Sequence, residues 1–202
     1  VFLTQVPAVL KGLTITGGGG GGSLPGQGGC ILNTSLVGID IIDSIITGCS
    51  ANEGGGIFNY GQVNITRSTI SNNTAATAGG GINTFRGLNL DSTTLHGNST
   101  SGAGGGLFAL QGNGVPQSAP VNITNSTISG NVANDGGGIF SLGGTLTINV
   151  PTSIVPDGAP ARVELLAVAG LAGGGVRTMD VSANGIPYVT DWDLRQNIAN
   201  HW

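Results

Sequence analysis

A chain of 202 residues bounds one elongated domain, or a domain with an appendage. Glycine supplies 39 of the residues and charged side chains only 8%, with a net charge of −4 and no basic patch, which excludes nucleic acid as a partner. No apolar run reaches transmembrane length, and no charged n-region with an apolar h-region opens the chain, which reads as a mature or trimmed form.

In chain order, Val1–Thr16 carries two strand-like pieces, around Val1-Phe2-Leu3 and Leu13-Thr14-Ile15-Thr16, and reads as an incomplete first coil. Six glycines follow, Gly17–Gly22, then Ser23-Leu24-Pro25-Gly26. This is a corner loop and not a phosphate-binding loop, because no Gly-Lys-Ser/Thr follows. From Cys30 to about Val150 one phrase recurs. Gly-Gly-Gly-Ile/Leu begins at Gly54, Gly79, Gly104 and Gly136, and a weaker copy, Gly28-Gly29-Cys30-Ile31, precedes them. The first three full copies are 25 residues apart, and the last step is longer because Gln111–Pro120 carries an insertion. A fixed period of this size marks a solenoid.

Each repeat has a second half in register with the first: Asn64-Ile65-Thr66-Arg67-Ser68-Thr69-Ile70-Ser71 matches Asn89–His96 and Asn122–Ser129. The aliphatic columns are Ile39/Val63/Leu88/Val121, Ile41/Ile65/Leu90/Ile123, Ile46/Ile70/Leu95/Ile128 and Ile31/Ile57/Ile82/Leu107/Ile139. Apolar residues two apart indicate strands, not helices. About 25 residues hold three short strands and their turns, and coils stacked about 4.8 Å apart form an all-β parallel β-helix whose columns fill the interior. The column Asn73, Asn98 and Asn131 predicts an asparagine turn ladder, since Asn tolerates left-handed backbone and its amides can bond along a stack. Cys30 stands where other repeats have their third glycine, and Cys49 where they have that asparagine. Both anomalies fall in one repeat, which makes the pair a disulfide candidate and implies an oxidising compartment; two buried thiols are the alternative. The six Asn-x-Ser/Thr sequons (Asn33, Asn64, Asn72, Asn98, Asn122, Asn125) follow from the repeat and imply no glycosylation.

The solenoid is expected to span 1–150 and to stop at Pro151, which cannot donate to a ladder. Residues 151–202 are a β-rich C-terminal extension, a cap or an inter-subunit contact. They hold eight of the sixteen charged residues and both tryptophans, and Asn184-Gly185 signals a hairpin.

Asn125-Ser126-Thr127-Ile128-Ser129-Gly130-Asn131 followed by Gly136-Gly137-Gly138-Ile139 resembles the repeats of large bacterial surface proteins. These include the CSLREA-type exported proteins and, more loosely, the polymorphic outer membrane proteins. The resemblance covers about residues 8–150 and implies a right-handed single-stranded parallel β-helix, export, a secreted or cell-surface setting, and adhesive or structural roles. The chain shows no CSLREA leader, autotransporter barrel or sorting motif.

Three functional readings follow. Polysaccharide cleavage needs clustered carboxylates, or a calcium cage beside a basic residue. Asp40, Asp43, Glu53, Asp91 and Asp135 never share a column on adjacent coils, and His96 replaces a ladder serine, so no catalytic residue and no cofactor or metal is expected. Asp40 and Asp43, three apart at a corner, read as a solvated turn before they read as a cation site. Ice binding would use the hydroxyl columns Thr69/Thr94/Thr127 and Thr66/Thr124, which Ile45, His96, Asp91 and Arg67 interrupt. The reading preferred is a non-catalytic extracellular structural protein. Open end coils template further coils, so copies would join head to tail into a fibre, with Tyr188, Trp192 and Trp202 as assembly candidates. A monomeric adhesin passenger and a polysaccharide-binding β-helix, with surface glycans as partners, are the alternatives.

Overall fold

The computed structural model describes residues 1–20, 26–34, 36, 38–110 and 120–150, together with the backbone of 181–183 and 186–189. The first coil contributes β1 (Phe2–Thr4), β2 (Ala8–Lys11) and β3 (Thr14–Thr16). The second has β4 (Ile31–Asn33), β5 (Ile39–Ile42), β6 (Ile45–Thr47) and β7 (Ser50–Glu53). The third has β8 (Ile57–Asn59), β9 (Val63–Thr66), β10 (Thr69–Ser71) and β11 (Thr74–Ala78). The fourth has β12 (Ile82–Thr84), β13 (Leu88–Asp91), β14 (Thr94–His96) and β15 (Ser99–Thr100). Then come β16 (Leu107–Leu110), β17 (Val121–Thr124) and β18 (Thr127–Ser129), followed by β19 (Ile139–Leu142) and β20 (Leu146–Val150). A last pair, β21 (Val181–Ala183) and β22 (Ile186–Val189), lies in the C-terminal extension.

These strands stack into four sheets: sheet 1, β1-β4-β8-β12-β16-β19; sheet 2, β2-β5-β9-β13-β17-β20-β21-β22; sheet 3, β3-β6-β10-β14-β18; and sheet 4, β7-β11-β15. Every pairing among β1–β20 is parallel, and the chain is a parallel β-helix. The aliphatic columns meet in register: Ile31, Ile57, Ile82, Leu107 and Ile139 in sheet 1; Ile41, Ile65, Leu90, Ile123 and Ile148 in sheet 2; Ile15, Ile46, Ile70, Leu95 and Ile128 in sheet 3. They fill one continuous core. Each fully buried Ile or Leu contributes about 1.5–3 kcal/mol.

The second, third and fourth coils add a fourth short strand to the three that the periodicity shows. Sheet 4 is built from Ser-Ala-Asn-Glu, Thr-Ala-Ala-Thr-Ala and Ser-Thr, with the small Ala75 as its inward residue. Such segments carry little β-propensity and no bulky alternation, so the sheet is held by its neighbours in the stack and not by a sequence signal of its own.

The glycine triplet makes the close corner between sheets 4 and 1. Gly79 sits at φ +64°, and a Cβ on Gly80 would strike the carbonyl oxygens of Gly105 and Ser99 on the next coil. Gly80→Ala is therefore expected to lower unfolding stability by about 3 kcal/mol or more, an overpacking that backbone cannot relieve. Gly19→Ala, exposed and with open space around its Cβ, should change it by about 0.5 kcal/mol or less. Urea denaturation of the two variants checks the contrast.

Candidate functional site

Three corner columns carry buried polar groups, and each is satisfied by the coil next to it. Asn73 Nδ2 donates to Asn98 Oδ1 and Asn98 Nδ2 to Asn131 Oδ1, both at 3.0 Å. Each amide also donates back to a carbonyl on the preceding coil: Asn73 to Ile46, Asn98 to Ile70 and Asn131 to Leu95. The amide oxygens accept from backbone as well, Asn73 Oδ1 from Cys49 N–H and Asn98 Oδ1 from Asn73 N–H. The expected left-handed backbone is one position earlier than this column, at Asn72 (φ 53°), Gly97 and Gly130. The asparagines themselves work through their amides and not through their φ.

The corner between sheets 2 and 3 uses hydroxyls. Asp43, Arg67, Ser92 and Asn125 turn the chain at φ of 51°, 46°, 53° and 52°, and the following Ser44, Ser68, Thr93 and Ser126 point inward. Ser68 Oγ donates to Thr66 O at 2.8 Å and accepts the Ser44 N–H at 3.1 Å; Ser126 Oγ likewise donates to Thr124 O and accepts the Thr93 N–H, and Thr93 Oγ1 donates to Asp91 O. At the corner between sheets 1 and 2, Asn33 Nδ2 donates to Asn59 Oδ1 and Asn59 Nδ2 to Thr84 Oγ1, each at 2.9 Å. These two ladders were legible as columns of Ser/Thr and Asn/Thr, but small polar residues recur so widely in the chain that nothing marked them as buried.

Cys30 and Cys49 form a disulfide, with Cα atoms 5.6 Å apart. The geometry of the other coils explains the pairing. A Cβ on Gly56 would abut the amide of Asn73, one on Gly81 that of Asn98, and one on Gly106 that of Asn131. Glycine and asparagine touch across this corner in three successive coils, and the second coil puts a covalent bond at the same contact.

On the outside, sheet 2 bears a second amide chain. Asn122 donates to Asn89, Asn89 to Asn64 and Asn64 to the Asp40 carboxylate, at 2.9, 2.8 and 2.8 Å. Asp43 receives Nε and Nη2 of Arg67 at 2.7 and 3.0 Å. Both carboxylates of the Asp40/Asp43 corner are thus engaged by side chains of the following coil. Among the described residues no three His, Cys, Asp or Glu side chains gather closely enough to hold a metal ion. His96 is exposed, with Nδ1 3.1 Å from Ser129 O. Thr69, Thr94 and Thr127 lie on sheet 3 whereas Thr66 and Thr124 lie on sheet 2, so the hydroxyl columns considered for ice do not form one flat array.

The two ends of the stack differ. At the N-terminal rim β1, β2 and β3 each pair on one side only, with β4, β5 and β6. Phe2 stands in the Ile31/Ile57 core column, yet it is 44% exposed where those residues are at 0%. At the other end β21 pairs parallel with β20, and β22 returns antiparallel. Of the assembly candidates, Tyr188 lies in β22, while Trp192 and Trp202 lie outside the described residues. Among the described residues no helix is long and apolar enough to cross a membrane. No protein-family model, curated protein or solved structure matches the chain.

Two expectations follow. Asn98→Ala removes the partner of the Asn73 N–H and of its amide, leaving two buried donors unmet; with about 1–3 kcal/mol for each orphaned group, the loss of stability should be on the order of 3 kcal/mol, read from chemical denaturation. The Arg67 hydrogen bond holds the Asp43 carboxyl below its usual value of 3.8, against the opposing effect of desolvation. Asp43 binds its proton less readily folded than unfolded, so the pair's contribution is whole above the unfolded value and fades as the pH falls through the lowered folded one. Urea midpoints of the native chain and Arg67→Gln should differ slightly at neutral pH, since both groups face water, and converge in acid.

Proposed function

We propose that the chain is a non-catalytic structural solenoid, secreted or held at a cell surface, whose copies add end to end into a filament. The observation that carries this reading is Phe2, a core-column residue left 44% exposed on a rim of three half-paired strands. Val1 and Leu3 beside it are also exposed, at 49% and 40%. Unpaired strand edges over apolar surface template further strands. A second copy presenting β19, the outer strand of sheet 1, would continue that sheet and cover Phe2. Such a contact joins unlike faces of the two copies, so it repeats without closing.

Charge and chemistry support the same reading. Among the described residues no two carboxylates stand in one column on adjacent coils, and Asp40 and Asp43 are engaged by Asn64 and Arg67. The disulfide suits an oxidising compartment, in keeping with the setting that the repeat resemblance implies.

Sizing at several concentrations with negative-stain microscopy tests the proposal. Linear particles that lengthen with concentration are expected, and Phe2→Lys, which places a charge in the contact, should return them to single solenoids with an unchanged β-type circular dichroism spectrum. A strictly monomeric particle at every concentration would overturn assembly and favour a monomeric adhesin.

A further inference from the structure

Strands β1 and β2 follow one another in the first coil, with only Gln5, Val6 and Pro7 between them. They pair with β4 and β5, the consecutive strands of the second coil. In the last coil the equivalents of β4 and β5 are β19 and β20: β19 stands at the end of sheet 1, and β20 pairs with β17 in sheet 2. An incoming copy that lays its β1 on β19 therefore brings its β2 over β20. That place in the stack is taken. β21 already pairs parallel with β20, with Ile148 facing Val181, Asn149 facing Ser182 and Val150 facing Ala183.

The pairing is in the register of a further coil. Val181 stands in the column of Ile41, Ile65, Leu90, Ile123 and Ile148, and Leu10 of β2 belongs to that same column. β21 thus holds the position that the β2 of a neighbour would hold. It holds it with less. β21 makes three pairs with β20, and β22 turns back antiparallel on its other side. β1 and β2 make three pairs in sheet 1 and four in sheet 2 with the coil beside them. The hairpin adds no strand to sheet 1, and a two-stranded hairpin is marginally stable at best by itself.

We propose that the β21–β22 hairpin is an autoinhibitory stopper, and that copies add by strand exchange: the hairpin leaves β20, β2 of the incoming copy takes its place, and β1 pairs with β19 and covers Phe2. This deepens the end-to-end reading and rests on it. One edge of β20 cannot pair with both strands, so the stopped chain is single and the opened one grows. Exchange replaces a short pairing by a longer one and removes the apolar surface of Phe2 from water, so it runs towards the filament once copies are concentrated. At high concentration its rate is set by release of the hairpin and not by encounter, and it levels off.

Asn149→Cys combined with Ser182→Cys tests this in the full chain. The two positions face each other on adjacent parallel strands, within reach of a disulfide, and Asn149 is exposed. Oxidation should link them, and mass spectrometry should find the link in single chains. The linked chain should not lengthen at any concentration, read by light scattering and negative-stain microscopy. A mild reductant that leaves the buried Cys30–Cys49 bond intact should restore lengthening. Ser182→Pro, which puts a residue without an N–H into the middle of β21, should abolish the levelling-off of the native rate with an unchanged circular dichroism spectrum. No link on oxidation, or a linked chain that lengthens as the native one does, overturns the stopper and leaves end-to-end assembly standing. If the native chain and Ser182→Pro both stay single at every concentration, end-to-end assembly falls and the stopper with it.

Discussion

Everything in this fold depends on parallel strands being stacked in register. Once β4, β8, β12, β16 and β19 pair residue against residue, whatever stands at one position must tolerate its own equivalent about 4.8 Å above and below. Aliphatic side chains meet that demand trivially, which is why the inner columns read Ile, Val or Leu from coil to coil. A buried polar side chain meets it only if it can both give and accept a hydrogen bond along the stack. Asn and Ser/Thr can, and they are what fills the inward corners. A charged group cannot repeat against itself, and accordingly Asp43 faces Arg67, and Asp40 ends a run of amides.

The same rule accounts for the disulfide. The corner between the triplet glycine and the ladder asparagine is close-packed: at Gly56 and Gly81 the backbone of the next coil and the amide of the same coil leave no room for a Cβ. The first coil offers glycine where the ladder would need its next amide, since Gly18 occupies the position equivalent to Cys49 and Asn73. The amide chain therefore has to end at the second coil. There the Cys49 N–H still feeds Asn73 Oδ1, while the bond to Cys30 ties down the strand start that no further amide would hold. In the chain-entropy account, a link across 19 residues is worth about 3 kcal/mol, comparable to the ladder bonds that it replaces.

The stacking of coils was legible because large aliphatic residues repeat at a fixed period and two apart; the registers of Ile57 with Ile82 and of Ile65 with Leu90 follow directly from the alignment of repeats. Sheet 4 was not, because Ala75 is its inward residue and alanine two positions from threonine carries no periodic weight. The left-handed corners were misplaced by one residue for a related reason. Asn72 and Asn73 adjoin, and only the inward amide of the second, as against the turned backbone of the first, tells their roles apart. The ring neighbours of Asn83 were not legible, since an asparagine in a strand is ordinary until its partners in register prove to be Phe58 and Phe108, each 25 residues away.

The insertion after β16 and the tail hairpin show how much departure the stack accepts. Residues 111–119 lengthen the sequence between β16 and β17, yet Leu107 still faces Ile82 and Val121 still faces Leu88. Length added at a corner costs little, because the register is set by the strands on either side of it. Direction is another matter. β21 keeps the parallel sense on β20, but β22 turns antiparallel, and an antiparallel edge cannot continue a parallel ladder with the same hydrogen-bond spacing. Among the described residues sheet 2 ends in the antiparallel strand β22, while sheets 1 and 3 end in β19 and β18. At the opposite rim the core-column residue left exposed, Phe2, belongs to sheet 1, the sheet that β19 ends.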